Sequence, residues 1–276
     1  MQLPLDKIRR QVCVLAEQTG KFIQQQRGKI TSSQVETKSI NSFVTFVDKG
    51  SERKLVKGLK KILPEAGFIT EEETIANERK KYTWIIDPLD GTTNFIHGVP
   101  CYCISIALYF SPSGRTRRMT SEGEVILGVI YEPNRSEMFY ATKYGGAFLN
   151  GKRISVTKRK KLKDSLLVTG FPTYDYSHMD EYIKLFRHLM KHTRGLRRLG
   201  SAAVDLAYTA CGRFDAFYEY SLNPWDVAAG ALIVEEAGGK ITDFTGGNNF
   251  LFGKEIIASN NFTHRELVKS VKKFFR

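Results

Sequence analysis

The chain has 276 residues, 42% of them hydrophobic, and its 42 Lys and Arg against 29 Asp and Glu give a formal net charge of +13. That size can bury a large core, as one domain or two fused halves; no apolar run approaches the ~20 residues of a membrane helix, and the charges in MQLPLDKIRRQVCVLAEQTGKF leave no signal-peptide core, so a cytoplasmic protein without a membrane partner is expected. The positive balance points to an anionic partner, whether nucleic acid, an acidic surface or a small phosphorylated substrate.

In chain order, Leu5, Ile8, Val12, Leu15, Thr19 and Phe22 recur at helical spacing, with Gly28 as a stop. After a polar stretch, FVTFVD (Phe43 to Asp48) reads as a strand, followed by a helix with Leu55, Leu59 and Ile62 on one side and Pro64 at its end. GFIT (Gly67 to Thr70) is a strand running into Glu71, Glu72 and Glu73. The strands YTWII, CISIALYF, VILGVIYEP and EMFYAT follow, with turns at Gly145-Gly146 and a hairpin signal at Asn150-Gly151. Beyond about residue 155 the types alternate: strand SLLVTG, helix Asp180 to His192, helix Ala202 to Ala210, strand FDAFYEY, helix Trp225 to Ala237, short strands KIT and EIIAS, and a last amphipathic helix from Arg265. An antiparallel-leaning first half thus precedes an alternating second half.

The basic runs RTRR (Arg115 to Arg118), KRKKLK (Lys158 to Lys163), RGLRR (Arg194 to Arg198) and the tail from Lys269 to Arg276 lack interleaved aromatics and read as solvated faces. Cys13, Cys101, Cys103 and Cys211 show neither paired C-x-x-C spacing nor a disulfide framework, and read as small buried side chains.

The chemistry concentrates in WIIDPLDGTTNF, residues 84 to 95. An apolar strand ends at Asp87, Pro88 stiffens a bend, and Asp90 follows one turn later. Carboxylates this close repel unless a cation lies between them or one is protonated. Mg²⁺ takes one or two carboxylates and keeps waters and phosphate oxygens; Gly91 lets backbone approach a ligand, and Thr92-Thr93 could open a short helix with N–H groups facing an anion. Taken alone, Asp87 and Asp90 could simply cap a helix. The acids at Glu71 to Glu73 and at Asp226, beside Trp225 in a helix's first turn, make acids at the ends of three elements.

DPLDGTTNF together with WDVAAGALIVEEAGG resembles the paired signature of the inositol monophosphatase family of magnesium-dependent, lithium-sensitive phosphomonoesterases, and FVTFVD, FITEEE, GSAAVDLAY and DAFYE fall in the family's order. The resemblance runs over nearly the whole chain. It implies a five-layered αβαβα sandwich, with an α+β half (1–155) carrying most metal ligands and an α/β half (156–276) contributing Asp226 and substrate contacts, in one compact unit. It also implies two to three Mg²⁺ ions, with Mn²⁺ possible: Glu71, Asp87 and the Leu89 carbonyl for the first, Asp87, Asp90 and Asp226 for the second, and a weaker third near Glu71. Three glutamates in a row leave Glu71 against Glu72 open.

By the same resemblance, water activated by metal attacks the phosphate without a covalent intermediate, with Thr92, Asp48 and Glu71 as catalytic residues. Gly91 and Thr92 hold the phosphate, Ala202 lies near the ring, Glu219 meets a sugar or inositol hydroxyl, and the protein is a homodimer. His97 is expected to be a loop histidine, since the metals want oxygen. The T-T-N-F continuation points to inositol-1-phosphate; fructose-1,6-bisphosphate or another sugar or nucleotide phosphate is the alternative. A reading of another class, an RNA-associated or assembly protein with a vestigial site, has only dispersed Lys and Arg behind it.

Overall fold

The computed structural model describes residues 3–30, 35–39, 42–112, 123–172 and 175–275; the run Arg115 to Arg118 and the terminal Arg276 lie outside them. Helix α1 (Leu5–Gln26) buries Ile8, Val12, Leu15 and Thr19, as their spacing predicts, and ends the stripe on Ile23, with Leu5 and Phe22 half-buried at its margin. The polar stretch after it contributes an unforeseen strand, β1 (Val35–Ser39), antiparallel to β2 (Ser42–Thr45). Only the first part of FVTFVD is strand: helix α2 (Phe46–Ile62) starts inside it, so Asp48 stands in a helix's first turn and closes no strand. The reason is a capping box, in which the Thr45 side chain accepts from the helix's first turn and the Asp48 carboxylate accepts from the Thr45 N–H.

Strand β3 (Gly67–Thr70) lies parallel to β4 (Tyr82–Asp90). The strand does not end at Asp87. It continues through Pro88 to Asp90 with one extra residue, because Asp87 pairs with Ser105 and Asp90 with Cys103; the ladder bulges where proline cannot donate. Helix α3 (Thr92–Ile96) follows, then β5 (Cys103–Phe110), β6 (Glu124–Glu132), β7 (Glu137–Thr142), β8 (Gly146–Leu149) and β9 (Lys152–Arg153), completing a seven-stranded sheet in sequence order, antiparallel after its first pair. Asn150 and Gly151, both at positive φ, make the expected turn between β8 and β9.

The second half builds β10 (Leu166–Thr169), α4 (Met179–His192), β11 (Gly195–Arg197), α5 (Ala202–Ala210), β12 (Ala216–Tyr220), α6 (Pro224–Glu236), β13 (Gly239–Thr242), β14 (Glu255–Asn260) and α7 (His264–Lys272). Its five-stranded sheet runs β11-β10-β12-β14-β13, with β10 parallel to both neighbours and β14 antiparallel to both.

Three cores bind these elements into five layers, αβαβα. Val12, Leu15, Leu55 and Leu59 of α1 and α2 pack on Trp84, Ile86 and Ile106. Between the sheets, α5 and α6 bring Val204, Leu206, Leu232 and Ile233 against Ile85 and Ile130 on one side and Phe217 and Ala258 on the other. Beyond the second sheet, Leu185, Leu189, Leu267 and Val271 of α4 and α7 cover Tyr218 and Ile257. Trp84 and Ile86 face one core and Ile85 the next, the period of two that a strand buried on both faces needs. Every residue of α5 is buried, which fits a helix sandwiched between two sheets. Among the described residues no helix is long and apolar enough to cross a membrane.

Candidate active site

A cavity of about 360 Å³ opens where the end of β4 meets α5, α6 and β12. Among the described residues six acids, Glu71, Asp87, Asp90, Asp205, Glu219 and Asp226, line it together with a single base, Arg198. The interior charge is therefore opposite to the net charge of the chain. The acids arrive from five places in the fold: Glu71 follows β3, the bulge in β4 puts Asp87 and Asp90 on one side, Asp205 lies in the first turn of α5, Asp226 opens α6, and Glu219 sits on β12.

Three of the acids are pinned. Asp87 Oδ1 accepts the Leu89 N–H at 2.9 Å. Asp90 Oδ2 accepts the Ser201 hydroxyl at 2.6 Å and the Ala203 N–H at 2.7 Å, and Asp226 Oδ2 accepts the Asn223 N–H at 2.7 Å. Burial, then the charges of Glu71, Asp90 and Asp226, push the Asp87 carboxyl well above the usual carboxylate range, and a hydrogen bond with the Glu71 side chain pushes the same way. Asp226 is raised by burial and by Asp90 and Glu71. Asp90 is raised by burial, against the pull of its Ser201 and Ala203 hydrogen bonds. Carboxyls in this state need protons or cations among them.

The donor set fits hard divalent ions, because every group offered is an oxygen. Among the described residues no three Asp, Glu, His or Cys side chains are grouped closely enough to hold a metal ion by themselves. The acids instead flank an open cavity, a geometry that leaves positions for water and phosphate oxygens, as Mg²⁺ prefers. Leu89 lines the cavity as well.

Thr92 joins this group to Asp48. Its hydroxyl lies 2.8 Å from Asp48 Oδ1 and 3.0 Å from the Leu89 carbonyl oxygen. One hydroxyl proton cannot serve both acceptors, so occupation of the Leu89 carbonyl by a cation would commit the Thr92 proton to Asp48. Asp48 Oδ2 is fixed by the Thr45 N–H at 2.7 Å and the Thr45 hydroxyl at 2.6 Å. Burial raises the Asp48 carboxyl, opposed by its bonds to Thr45 and Thr92. Gly91 caps α3 at φ +93°, and a Cβ there would come within 3.0 Å of the Cys101 carbonyl oxygen, so only glycine fits.

The structure thus brings Glu71, Asp87, Leu89, Asp90, Gly91, Thr92, Ala202, Glu219 and Asp226 to one cavity and places Asp48 directly behind Thr92. Glu71 lines the cavity; Glu72 does not, its N–H being held by Glu52 Oε2 at 2.8 Å. His97 is exposed and outside the cavity. All four cysteines are free, and burial pushes Cys13 up to about 11 and Cys101 up to about 12, which suits inert packing groups.

Sequence reasoning missed several supports. Buried Glu52 on α2 holds the loop after Glu71 through the Glu72 and Thr74 N–H groups. Ser201, the N-cap of α5, reaches across to Asp90; a Ser just before an apolar helix is a legible cap signal. Asn94 Nδ2 ties α3 to the Leu199 carbonyl at 2.9 Å, locking the two halves beside the site. Asp205 also lines the cavity, and an acid inside the apolar run AAVDLAYTA was the available signal.

Known proteins share this arrangement of chain and fold. The family model of the inositol monophosphatase family matches residues 5–274. The chain is 40% identical over 262 residues to the Nus factor SuhB of Pseudomonas aeruginosa, covering 93% of each chain. It is 38% identical over 259 residues to the inositol-1-monophosphatase of Mesorhizobium japonicum, covering 94% of this chain and 93% of the relative. The solved structure of the Thermotoga maritima IMPase matches with a TM-score of 0.82 at 37% identity, covering 95% of each chain.

Proposed function

The chain belongs to the inositol monophosphatase family, and from that premise we propose that it hydrolyses phosphate monoesters of small polyols, inositol-1-phosphate first among them, by direct attack of water without a covalent intermediate. The reading rests on one juxtaposition: Glu71, Asp87, Asp90 and Asp226, carried by three separate parts of the fold, share a cavity with the Thr92 hydroxyl and its partner Asp48. Glu71, Asp87 and the Leu89 carbonyl would hold one Mg²⁺ and Asp87, Asp90 and Asp226 another, with a third near Glu71 and with Mn²⁺ accepted by the same oxygens. When bound, such ions supply Lewis acidity toward the phosphate and acidify water.

The chain's own groups do the rest. Thr92 Oγ1 takes a hydrogen bond from the attacking water while its proton turns to Asp48, which Thr45 holds in place. Glu71 stands beside that water. The Gly91 and Thr92 N–H groups hold phosphate oxygens at the start of α3. Ala202 leaves room for the ring, and Glu219 accepts a substrate hydroxyl. Fructose-1,6-bisphosphate is the alternative substrate, and a homodimer the assembly we expect.

A second reading, an RNA-associated or assembly role, is favoured by the name of the Pseudomonas relative and by the +13 charge. It requires nucleic-acid binding that weakens steeply with salt.

A phosphate-release panel with Mg²⁺ over inositol-1-phosphate, fructose-1,6-bisphosphate, 3′-phosphoadenosine 5′-phosphate and histidinol phosphate tests the main reading. Inositol-1-phosphate should be cleaved fastest and lithium should inhibit. Release from none of the four would overturn it.

A further inference from the structure

Helix α2 carries two buried acids, Asp48 and Glu52, and hydrolysis as described above uses only the first. Their spacing of one helical turn puts both on the stripe that α2 turns inward with Val47, Ser51 and Leu55. Asp48 reaches Thr92. Glu52, 0% exposed, accepts the Glu72 N–H through Oε2 at 2.8 Å and the Thr74 N–H through Oε1 at 2.7 Å. Both of its oxygens are thus engaged by the backbone of a single turn, 20 and 22 residues further along the chain.

That turn is strained. Glu73, between the two clamped N–H groups, has φ +48°, in the left-handed region that a residue with a Cβ enters at a cost. A left-handed residue in a turn can aim neighbouring N–H groups at one anion, and here the anion is the Glu52 carboxylate. Asn77 ties the turn from its other end: its Oδ1 accepts the Thr70 N–H at 2.9 Å and its Nδ2 donates to Glu73 Oε1 at 3.2 Å.

Glu71 is the residue this arrangement controls. The Glu72 N–H belongs to the planar peptide unit that leaves the Glu71 Cα, so a bond to that N–H fixes the unit. On the other side the Glu71 N–H donates to the Ile86 carbonyl at 3.3 Å, next to Asp87. Glu71 is therefore held through both flanking peptides, one by β4 and one by α2, and with it the direction from which its side chain meets the cavity. Glu52 is not among the described residues that line the cavity.

We propose that Glu52 is a positioning residue for Glu71: α2 is a rigid spacer between the Thr92–Asp48 pair and the turn that aims Glu71, so metal affinity depends on a carboxylate that touches neither metal nor substrate. This rests on the phosphatase reading above and extends it to α2.

The test measures Mn²⁺ binding to the full-length protein by calorimetry and electron paramagnetic resonance without substrate, together with the Mg²⁺ dependence of phosphate release. Glu52→Gln keeps the size of the side chain but turns one acceptor into an NH₂ facing an N–H. It should weaken the Glu71-dependent Mn²⁺ site about 10- to 100-fold and raise the half-saturating Mg²⁺ concentration similarly, while turnover at saturating Mg²⁺ falls by a smaller factor. Glu71→Gln should weaken the same site. With Glu71→Gln in place, adding Glu52→Gln should cost no further affinity, because a residue that acts through Glu71 has nothing left to position. Amide exchange should find the Glu72 and Thr74 N–H groups protected in the unmodified protein and released in Glu52→Gln.

Unchanged Mn²⁺ affinity in Glu52→Gln would overturn the proposal, as would fast exchange of both amides in the unmodified protein. So would effects of the two substitutions that multiply, since Glu52 would then act on the fold and not through Glu71. Should Glu52→Gln not fold, Glu52→Asp, which keeps the charge and shortens the reach, enters the same comparison; failure of both to fold would also overturn the proposal, by making Glu52 a requirement of the fold. A protein that binds no Mn²⁺ before substitution would end the phosphatase reading and this one together, whereas Mn²⁺ binding untouched by the Glu52 variants would end this one alone.

Discussion

The acids of the cavity are held in two different ways. Asp87, Asp90 and Asp226 each accept a backbone N–H, from Leu89, Ala203 and Asn223. Asp205, buried more deeply than Asp90 or Asp226, receives no hydrogen bond among the described residues. Pinning through one oxygen fixes a carboxylate's direction while leaving its charge to be met from the cavity, which suits a partner of fixed geometry such as a cation with its phosphate. A carboxyl group without protein partners instead keeps the full cost of its burial. The same contrast separates cavity from exterior, since among the described residues six acids and one base line the cavity of a chain that carries +13 overall.

The contrast can be broken by substitution, and the pinned end should respond most. Asp90→Asn is expected to lower Mg²⁺-dependent turnover on the order of 10³-fold. Its melting temperature without Mg²⁺ should stay equal or rise, because one of several mutually repelling acids is gone and the amide oxygen can still accept from Ala203. Full turnover would remove Asp90 from the site. Thr92→Ala should cost roughly 10²-fold in turnover with little change in Mg²⁺ affinity, and Thr92→Ser should recover most of it. A large affinity loss would instead assign the Thr92 hydroxyl to holding the Leu89 carbonyl, its second partner. The smallest effect is expected at the unpinned end, where Asp205→Ala removes a buried carboxyl group without partners and thermal melting should show a midpoint equal to or above that of the unmodified protein.

Much of this was legible in the chain. The stripe of α1 could be read because it is long and strongly periodic, and the strand runs and the nine residues of α5 because they are predominantly apolar between turn and cap signals. Asp87, Asp90 and Asp226 stood out because acids beside apolar runs are costly without a purpose. Local competition hid the rest. Alternation in FVTFVD masked the capping box from Thr45 to Asp48, so a helix start read as a strand. The DPLD segment read as a bend after a strand because Pro88 argues against continuing a ladder, yet a bulge accommodates it. Strands β1 and β11, only five and three residues long, exist through their pairing partners and leave little pattern. Glu52 is an ordinary helix acid by pattern, and only the tertiary fold shows that it is buried, whereas Asp205 interrupts an apolar run and so left a signal in the chain.

The central claim is that the clustered acids tolerate one another through cations, and thermal melting tests it most directly. Protons are the competing solution. Burial and the Asp90 charge push Glu219 up to about 8, and Asp87 and Asp226 are raised in the same direction. A carboxyl whose pKa is higher folded than unfolded binds its proton in the native state first, so its contribution to stability is lost as pH rises toward the folded value. His264, lowered to about 4 from 6.5 by burial, acts oppositely, but its contribution is complete by pH 6.5. Without divalent ions the melting temperature should therefore fall between pH 6.5 and about 8. Mg²⁺ at a hundredfold excess over its Kd should restore about 2.7 kcal/mol, or roughly 5–10 °C, at the upper pH, and Asp90→Asn should lose most of that response. A melting temperature indifferent to both pH and Mg²⁺ over this range would contradict the account.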